Sequence, residues 1–593
     1  MKRTRFALAA LTALLISGGA FAADMNKVLR VTFNAPETGF DPAKVSDNYS
    51  NMVLENIFDP LITYDYLARP AKLIPNTIEA MPTISKDGLV YTFKLKKGIF
   101  FADDPAFGGK KRELVAEDYV YSLKRHLDPT VNSQWSFLAE GRFAGADELV
   151  AKAGKNALDY NTPIEGLKAL DKYTLQITLT APAFNYSYIL AMPAFGAVAR
   201  EVMEANAANT NAHPVGTGPY TLKEWKPGSK IVLEANPNYR KETFNFAPSK
   251  DAVDAGILKA LKGKSVPVCG RVEVAIIEEE QPSWLAFVDK QIDVNRISQA
   301  ALQEALVIDP KNPLNVKLAD KYVKQGIQLQ RIKDLEVTYT FFNMQDPLVG
   351  GEGKEKIALR RAIAMAFPRS ETIAAIRRGQ AVPVNYIVPE GVAGHNPGFK
   401  GAAEFNPAKA NALLDQFGYK KGADGWRMQP NGKPLVIEYA TGTSAIDKQW
   451  NEYWQKAFDS LKIKLTWKYG KWNELSKANH EGKLQMWGLA WGADYPDGEN
   501  FMMLLYGKNA GDSNSAWFKN AAYDKLFEAS LKLPDGSERN KLYDQMNKIA
   551  VAQQPWIFGD TRVRSWVAQP YVKGFKVHPI LNANYWKFVD IQK

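Results

Sequence analysis

The chain has 593 residues, 46% of them hydrophobic and 23% charged, with a formal net charge of +11. That length suits about three to five domains or lobes and a core large enough to need neither disulfide nor metal. The basic residues are dispersed, with Lys110-Lys111-Arg112 as the longest run, so they read as solvated faces and argue against a nucleic-acid footprint.

In chain order, the first feature is a targeting signal. Lys2, Arg3 and Arg5 precede an apolar run from Phe6 to Ile16, and Ala20-Phe21-Ala22 fits a small-x-small cleavage site. Cleavage after Ala22 is expected. No Cys lies near that site, so a free periplasmic protein is expected rather than a lipid-anchored one. Removing Lys2, Arg3 and Arg5 from the +11 leaves +8. No other stretch approaches ~18 uninterrupted apolar residues, so the mature chain is expected to be soluble.

Leu29, Val31 and Phe33 alternate with polar residues and predict a first strand. A helix is expected from Met52 to Ile57. Asp87-Gly88 followed by alternating Tyr91, Phe93 and Leu95 predicts a hairpin. Ala116 to Leu127 reads as a helix that stops before Pro129, and Leu175, Ile177 and Leu179 as a strand. Asn406-Pro407 reads as an N-cap and first helical residue. Ala410, Leu413, Leu414 and Phe417 then share one face, and Gly418 terminates the helix. Asn431-Gly432 turns into a strand at Leu435-Val436-Ile437. The class is α/β, a mixed α+β arrangement.

Catalytic signatures are missing. The sequence holds no G-x-S-x-G elbow, no H-E-x-x-H and no P-loop. Its five histidines lack metal-ligand spacing. Cys269 is the only cysteine and reads as a structural thiol. No cofactor is expected.

Several stretches, in collinear order, resemble the extracellular solute-binding protein family 5, the dipeptide-, oligopeptide- and nickel-binding receptors of ABC importers. They include Phe40-Asp41-Pro42, Asn56-Ile57-Phe58-Asp59-Pro60-Leu61 and Tyr91 to Gly98. They continue with Ala116 to Leu123, Pro214-Val215-Gly216-Thr217-Gly218-Pro219-Tyr220, Leu359 to Ala366 and Trp491-Gly492-Ala493-Asp494-Tyr495. The resemblance implies a two-lobed periplasmic binding protein fold (cluster C type) with an inserted subdomain and a hinge. It places lobe I at 23–66, 213–338 and 553–593, the inserted subdomain at 67–212 and lobe II at 339–552. The glycines of Gly216-Thr217-Gly218-Pro219 permit sharp bends and Pro fixes φ, which suits a crossing point between lobes.

By the same resemblance, Asp494 pairs with the α-ammonium of a peptide, a charge-assisted contact that gains from exclusion of water. Ala490-Trp491-Gly492 in one lobe, and Ser46, Asp47 and Asn48 in the other, would hold the peptide main chain by strand-like hydrogen bonds. Tyr495 adjoins this motif, and Trp135 and Trp472 would wall the ligand, with Trp487 as a further candidate. In an oligopeptide-binding pattern that this motif resembles, an Arg stands three residues before the Trp and can meet the ligand's C-terminal carboxylate. Here that position is Gly488, which leaves ligand length open.

The expected partners are a small peptide and the membrane permease of an ABC importer, with no nucleic acid and a monomeric state. The alternative is the same fold taking a metal chelate, haem, an opine or an oligosaccharide; a secreted hydrolase is the remote alternative.

Overall fold

A computed structural model describes residues 23–309 and 312–593; the expected signal peptide, 1–22, lies outside them. The alternating Leu29, Val31 and Phe33 lie on the Asp24–Phe33 strand, which pairs in parallel with Cys269–Ile276. Lys230–Ala235 and Tyr220–Lys226 continue this first sheet in antiparallel order. Helix Asn48–Ile57 packs its Val53, Leu54 and Ile57 into the same core. Cys269 is buried there, its thiol donating to the Val589 carbonyl, and burial pushes its pKa up to about 12. It is inert packing at neutral pH.

Residues 61–202 supply most of a separate core. Its sheet is antiparallel throughout, in the order Thr83–Ile84, Val90–Lys94, Thr174–Thr178, Leu167–Asp171. The Asp87-Gly88 hairpin forms as its sequence predicts, with Gly88 at φ +72°. Helix Ala116–Arg125 contacts this sheet. Its last residue, Arg125, holds Asp41 through two hydrogen bonds of 2.8 and 2.7 Å, both partners buried. This pair ties the insert to the first core.

The chain leaves the insert through Gly216-Thr217-Gly218. The chain bends at 217–219, as the sequence suggests, although neither glycine has positive φ. A Cβ on Gly216 would sit 2.0 Å from the Ile57 carbonyl oxygen, and one on Gly218 2.7 Å from the same atom. The glycines serve backbone contact: Gly218 donates to the Ile57 carbonyl at 2.9 Å, and the Thr217 hydroxyl donates to Asp59 at 2.9 Å.

A second sheet has five strands in the order Lys464–Tyr469, Val436–Thr441, Met486–Gly492, Glu336–Phe342, Trp556–Phe558. Successive residues on a strand point to opposite faces, so this sheet separates two cores. Phe341, Trp487, Trp556 and Phe558 join one; Phe342, Met486 and Ile557 join the other. Helices Lys354–Ala366, Pro407–Gln416 and Ala445–Leu461 cover the latter face. Asn406 caps the Pro407–Gln416 helix at Lys409 N, and Gly418 takes φ +84° beyond its end. The Trp556–Phe558 strand lies past residue 552 yet pairs into this second sheet.

Between the two assemblies runs the Asp560–Ala568 strand, here called the crossing strand. Its beginning pairs with Ala381–Pro383. Its later residues pair with Gln328–Lys333 on one side and Val294–Arg296 on the other. Gln328–Lys333 and Glu336–Phe342 are separated by two residues, so a second strand passes between the assemblies beside it.

Candidate functional site

Buried and half-buried residues alternate along the crossing strand. Thr561, Val563, Ser565 and Val567 are buried, whereas Arg562, Arg564 and Trp566 share the opposite, more open face. Two cavities open onto this second face. The larger, about 320 Å³, is lined by Asp560 and Arg562; the smaller, about 50 Å³, by Arg564 and Trp566. The larger volume is in the range of a small-solute pocket.

Aromatic rings dominate the larger cavity: Tyr339, Tyr439, Trp450, Trp454, Trp472 and Trp487. Three arginines also line it. Arg377 pairs with Asp560 at 3.1 Å and lies 5.0 Å over the Trp450 ring, and Arg562 pairs with Glu336. Arg369 donates to the Val384 carbonyl instead of a carboxylate, and burial lowers its pKa.

The Met486–Gly492 strand forms one wall. Along one edge it pairs with Glu336–Phe342 for its whole length. Along the other it pairs with Val436–Thr441 only at Met486 and Trp487. Among the described residues no strand pairs with that edge from Gly488 to Gly492, and Gly488, Leu489 and Ala490 line the cavity. An unpaired strand edge beside a cavity is suited to extended ligand main chain. Ala490 and Gly492 are exposed. Gly488 is packed close: a Cβ there would lie 2.9 Å from the Tyr439 hydroxyl. No longer side chain fits without moving Tyr439.

Asp494 follows this strand. The Ala493 amide donates to the Leu335 carbonyl at 2.7 Å, extending the pairing with the neighbouring strand by one residue. Its carboxylate accepts from the Asn500 amide at 3.0 Å, and among the described residues no cation meets it. Burial raises its pKa, with the Asn500 bond acting in the opposite direction. Asn500 also accepts from the Trp491 indole at 3.2 Å and the Asp494 amide at 3.1 Å, fixing the motif's shape.

The other expected residues are placed variously. Trp472 is 67% exposed at the cavity rim, its ring 5.0 Å from the buried Trp487. Tyr495 is buried in the core of the insert, and its hydroxyl donates to Glu499, which also accepts from Asn185 at 3.1 Å. It therefore joins the insert to the second assembly. Trp135 donates its indole N–H to the Val45 carbonyl at 2.9 Å, close in sequence to Asp47 and Asn48. The Asp47 carboxylate is engaged as the N-cap of helix Asn48–Ile57, accepting from Ser50 N at 2.8 Å and the Thr38 hydroxyl at 2.6 Å. Asn48 lines the smaller cavity and accepts from Asn582 at 2.8 Å.

The sequence analysis did not single out Trp450, Arg369 and Arg377 in the larger cavity, Arg296 in the smaller one, or the crossing-strand arginines. The last had a signal: Arg562, Arg564 and Trp566 alternate with Val563, Ser565 and Val567. Arg296 had none.

Comparison with known proteins places this architecture. Residues 72–513 match the bacterial extracellular solute-binding proteins, family 5 Middle. The chain is 24% identical over 617 residues to the periplasmic oligopeptide-binding protein OppA of Salmonella typhimurium, covering all of this chain and 99% of that protein. It is 25% identical to heme-binding protein A of Haemophilus influenzae, covering 95% and 92% of the two. Among solved structures it is similar to HbpA2 from Haemophilus parasuis, at TM-score 0.71 and 20% identity, covering 95% of this chain and 100% of that one. It is also similar to DppA from Helicobacter pylori in complex with the peptide STSA, at TM-score 0.66 and 22% identity, covering 95% and 98%. These likenesses give the two-lobed periplasmic binding-protein fold expected from the sequence. With most of its length matched, the chain belongs to the bacterial extracellular solute-binding proteins of family 5.

Proposed function

We propose that this protein captures short peptides in the periplasm and delivers them to the permease of an ABC importer, without catalysing a reaction. The observation that carries this reading is the combination of a half-buried carboxylate, Asp494, with a strand edge from Gly488 to Gly492; among the described residues the first meets no cation and the second no strand. A ligand with a free ammonium and an extended main chain supplies what both lack. Its neighbouring side chain would enter the aromatic cavity, bounded by Trp472 and Trp487. The peptide-binding names of OppA and of the Pseudomonas di/tripeptide-binding proteins support the same class.

In this proposal the lobes divide as the resemblance implies, with the Trp556–Phe558 strand added to the second lobe. The crossing strand and the 333–336 segment form the hinge, and closure buries the ligand. Export uses residues 1–22, the mature protein carries no lipid, and it works as a monomer with no nucleic-acid partner.

Native mass spectrometry of the mature protein, purified undenatured from periplasm, tests the reading. A ladder of added masses matching short peptides is expected. A single non-peptide mass, such as haem or a metal chelate, together with no response to a peptide library, would overturn it.

A further inference from the structure

The smaller cavity is lined by a cation, Arg296, that pairs with no acid among the described residues. Arg296 lies directly opposite Trp566 in the antiparallel pairing of Val294–Arg296 with the crossing strand. Arg564 is its diagonal neighbour on the same face, a relation that sets the two Cα atoms roughly 7–8 Å apart. Both arginines line the cavity, together with Tyr49, Asn48, Asn34 and Asn582. Arg564 is engaged by Asp334. No described residue accepts a hydrogen bond from the Arg296 side chain.

That is unusual within this protein. Arg30, Arg125, Arg240 and Arg539, all buried or half-buried, each hold a carboxylate, and Arg69, Arg360 and Arg369 each donate to backbone carbonyls. Of the two arginines in this small cavity, only Arg564 has a paired carboxylate among the described residues. Burial, followed by repulsion from Arg564, lowers the pKa of Arg296; Tyr49, Asp334 and Glu280 oppose this more weakly. At about 50 Å³ the cavity has room for a few water molecules. A carboxylate fits this space, whereas a whole peptide does not. The surrounding asparagines and Tyr49 add neutral polar groups, suited to the second oxygen of such an anion.

Both cavities open onto the same face of the crossing strand, the larger beside Arg562 and the smaller beside Arg564 and Trp566.

We propose that Arg296, supported by Arg564, is the anchor for a carboxylate of the bound ligand, so that the protein selects solutes carrying an anionic group at this point. The proposal rests on the peptide reading above for the identity of the solute and extends it to ligand selectivity. The carboxylate is either an acidic side chain or the peptide's C-terminus. The bidentate geometry of guanidinium with carboxylate favours such a group over a neutral amide.

The test is calorimetric titration with alanine peptides of two to five residues. Each is made with a free or amidated C-terminus, and with Glu or Gln replacing one alanine in turn. Glutarate serves as a non-peptide probe. Wild type, Arg296→Gln and Arg296→Lys are compared, with circular dichroism as the check on folding. In wild type one carboxylate is expected to bind at least tenfold better than its neutral counterpart. Arg296→Gln is expected to reduce that ratio below threefold, and Arg296→Lys to retain part of it. Sensitivity to amidation assigns the C-terminus; sensitivity to Glu against Gln assigns a side chain. Peptides that bind with no preference for either carboxylate, or a preference unchanged in Arg296→Gln, overturn the anion site and leave the peptide reading standing. If no peptide binds, the peptide reading fails and glutarate decides. Binding that is lost in Arg296→Gln upholds the anion site; binding that is absent or unaffected overturns it.

Discussion

Replacing Asp494 by Asn changes one oxygen for an amide and leaves side-chain volume nearly constant. It is expected to move ligand affinity and stability in opposite directions. In the bound state the carboxylate would make charge-assisted hydrogen bonds to the ligand ammonium. Truncating one partner of such a desolvated pair costs about 2–5 kcal/mol. Asn keeps one acceptor oxygen, so a loss of about 3 kcal/mol is expected, or roughly 150-fold in Kd. Without ligand the sign reverses. Burial raises the pKa of Asp494 above its ordinary 3.8, and among the described residues no cation offsets the charge. Ionising it therefore costs the folded state stability. That cost is absent at pH below 3.8, grows as the pH rises toward the raised value, and levels off above it. The ligand-free Asp494→Asn protein is expected to melt above wild type at pH 7 and to lose that advantage as the pH falls toward 3.8. Calorimetric titration with tri-alanine and differential scanning calorimetry of both proteins read the two effects. A variant that binds as well as wild type, or that melts lower without ligand at pH 7, would refute the reasoning.

Gly488→Ala is expected to destabilise by about 1–2 kcal/mol through its contact with the Tyr439 hydroxyl, and Tyr439→Phe in the same chain should recover most of the loss; urea unfolding measures both. His126 is fully buried between Ser133 and the Ala194 carbonyl, and desolvation, aided by Arg125, lowers its pKa to about 4. Its contribution to stability is full above pH 6.5 and is lost as the pH falls toward 4, by up to about 3 kcal/mol. His126→Gln should flatten that limb of the stability curve, measured by urea unfolding across the range. Asp41→Asn leaves Arg125 buried without its acid, which should cost about 3–5 kcal/mol and loosen the insert from the first core; hydrogen exchange at 116–125 should rise.

What the sequence disclosed was mainly local. The alternation of Leu29, Val31 and Phe33, the Asp87-Gly88 hairpin, and Asn406-Pro407 with Gly418 all depend on contacts a few residues apart, and each element formed where its pattern put it. Asp47 shows how such a signal is overlooked. Asp-Asn-Tyr-Ser ahead of Met52 is an N-cap pattern, and the structure uses the carboxylate in that way. The site itself is non-local. Arg296 meets Arg564 and Trp566 only through pairing of strands more than 260 residues apart, and no spacing rule reaches that far. The close approach at Gly216 has the same character, because the Ile57 carbonyl that excludes a side chain belongs to a distant helix end.

The central claim is that the cleft reads a free ammonium through Asp494 while holding main chain along Gly488–Gly492. Calorimetric titration of wild type with tri-alanine and with its N-acetylated form tests it most directly. At least a hundredfold preference for the free N-terminus is predicted. Equal affinities would contradict the role given to Asp494, however tightly both peptides bind.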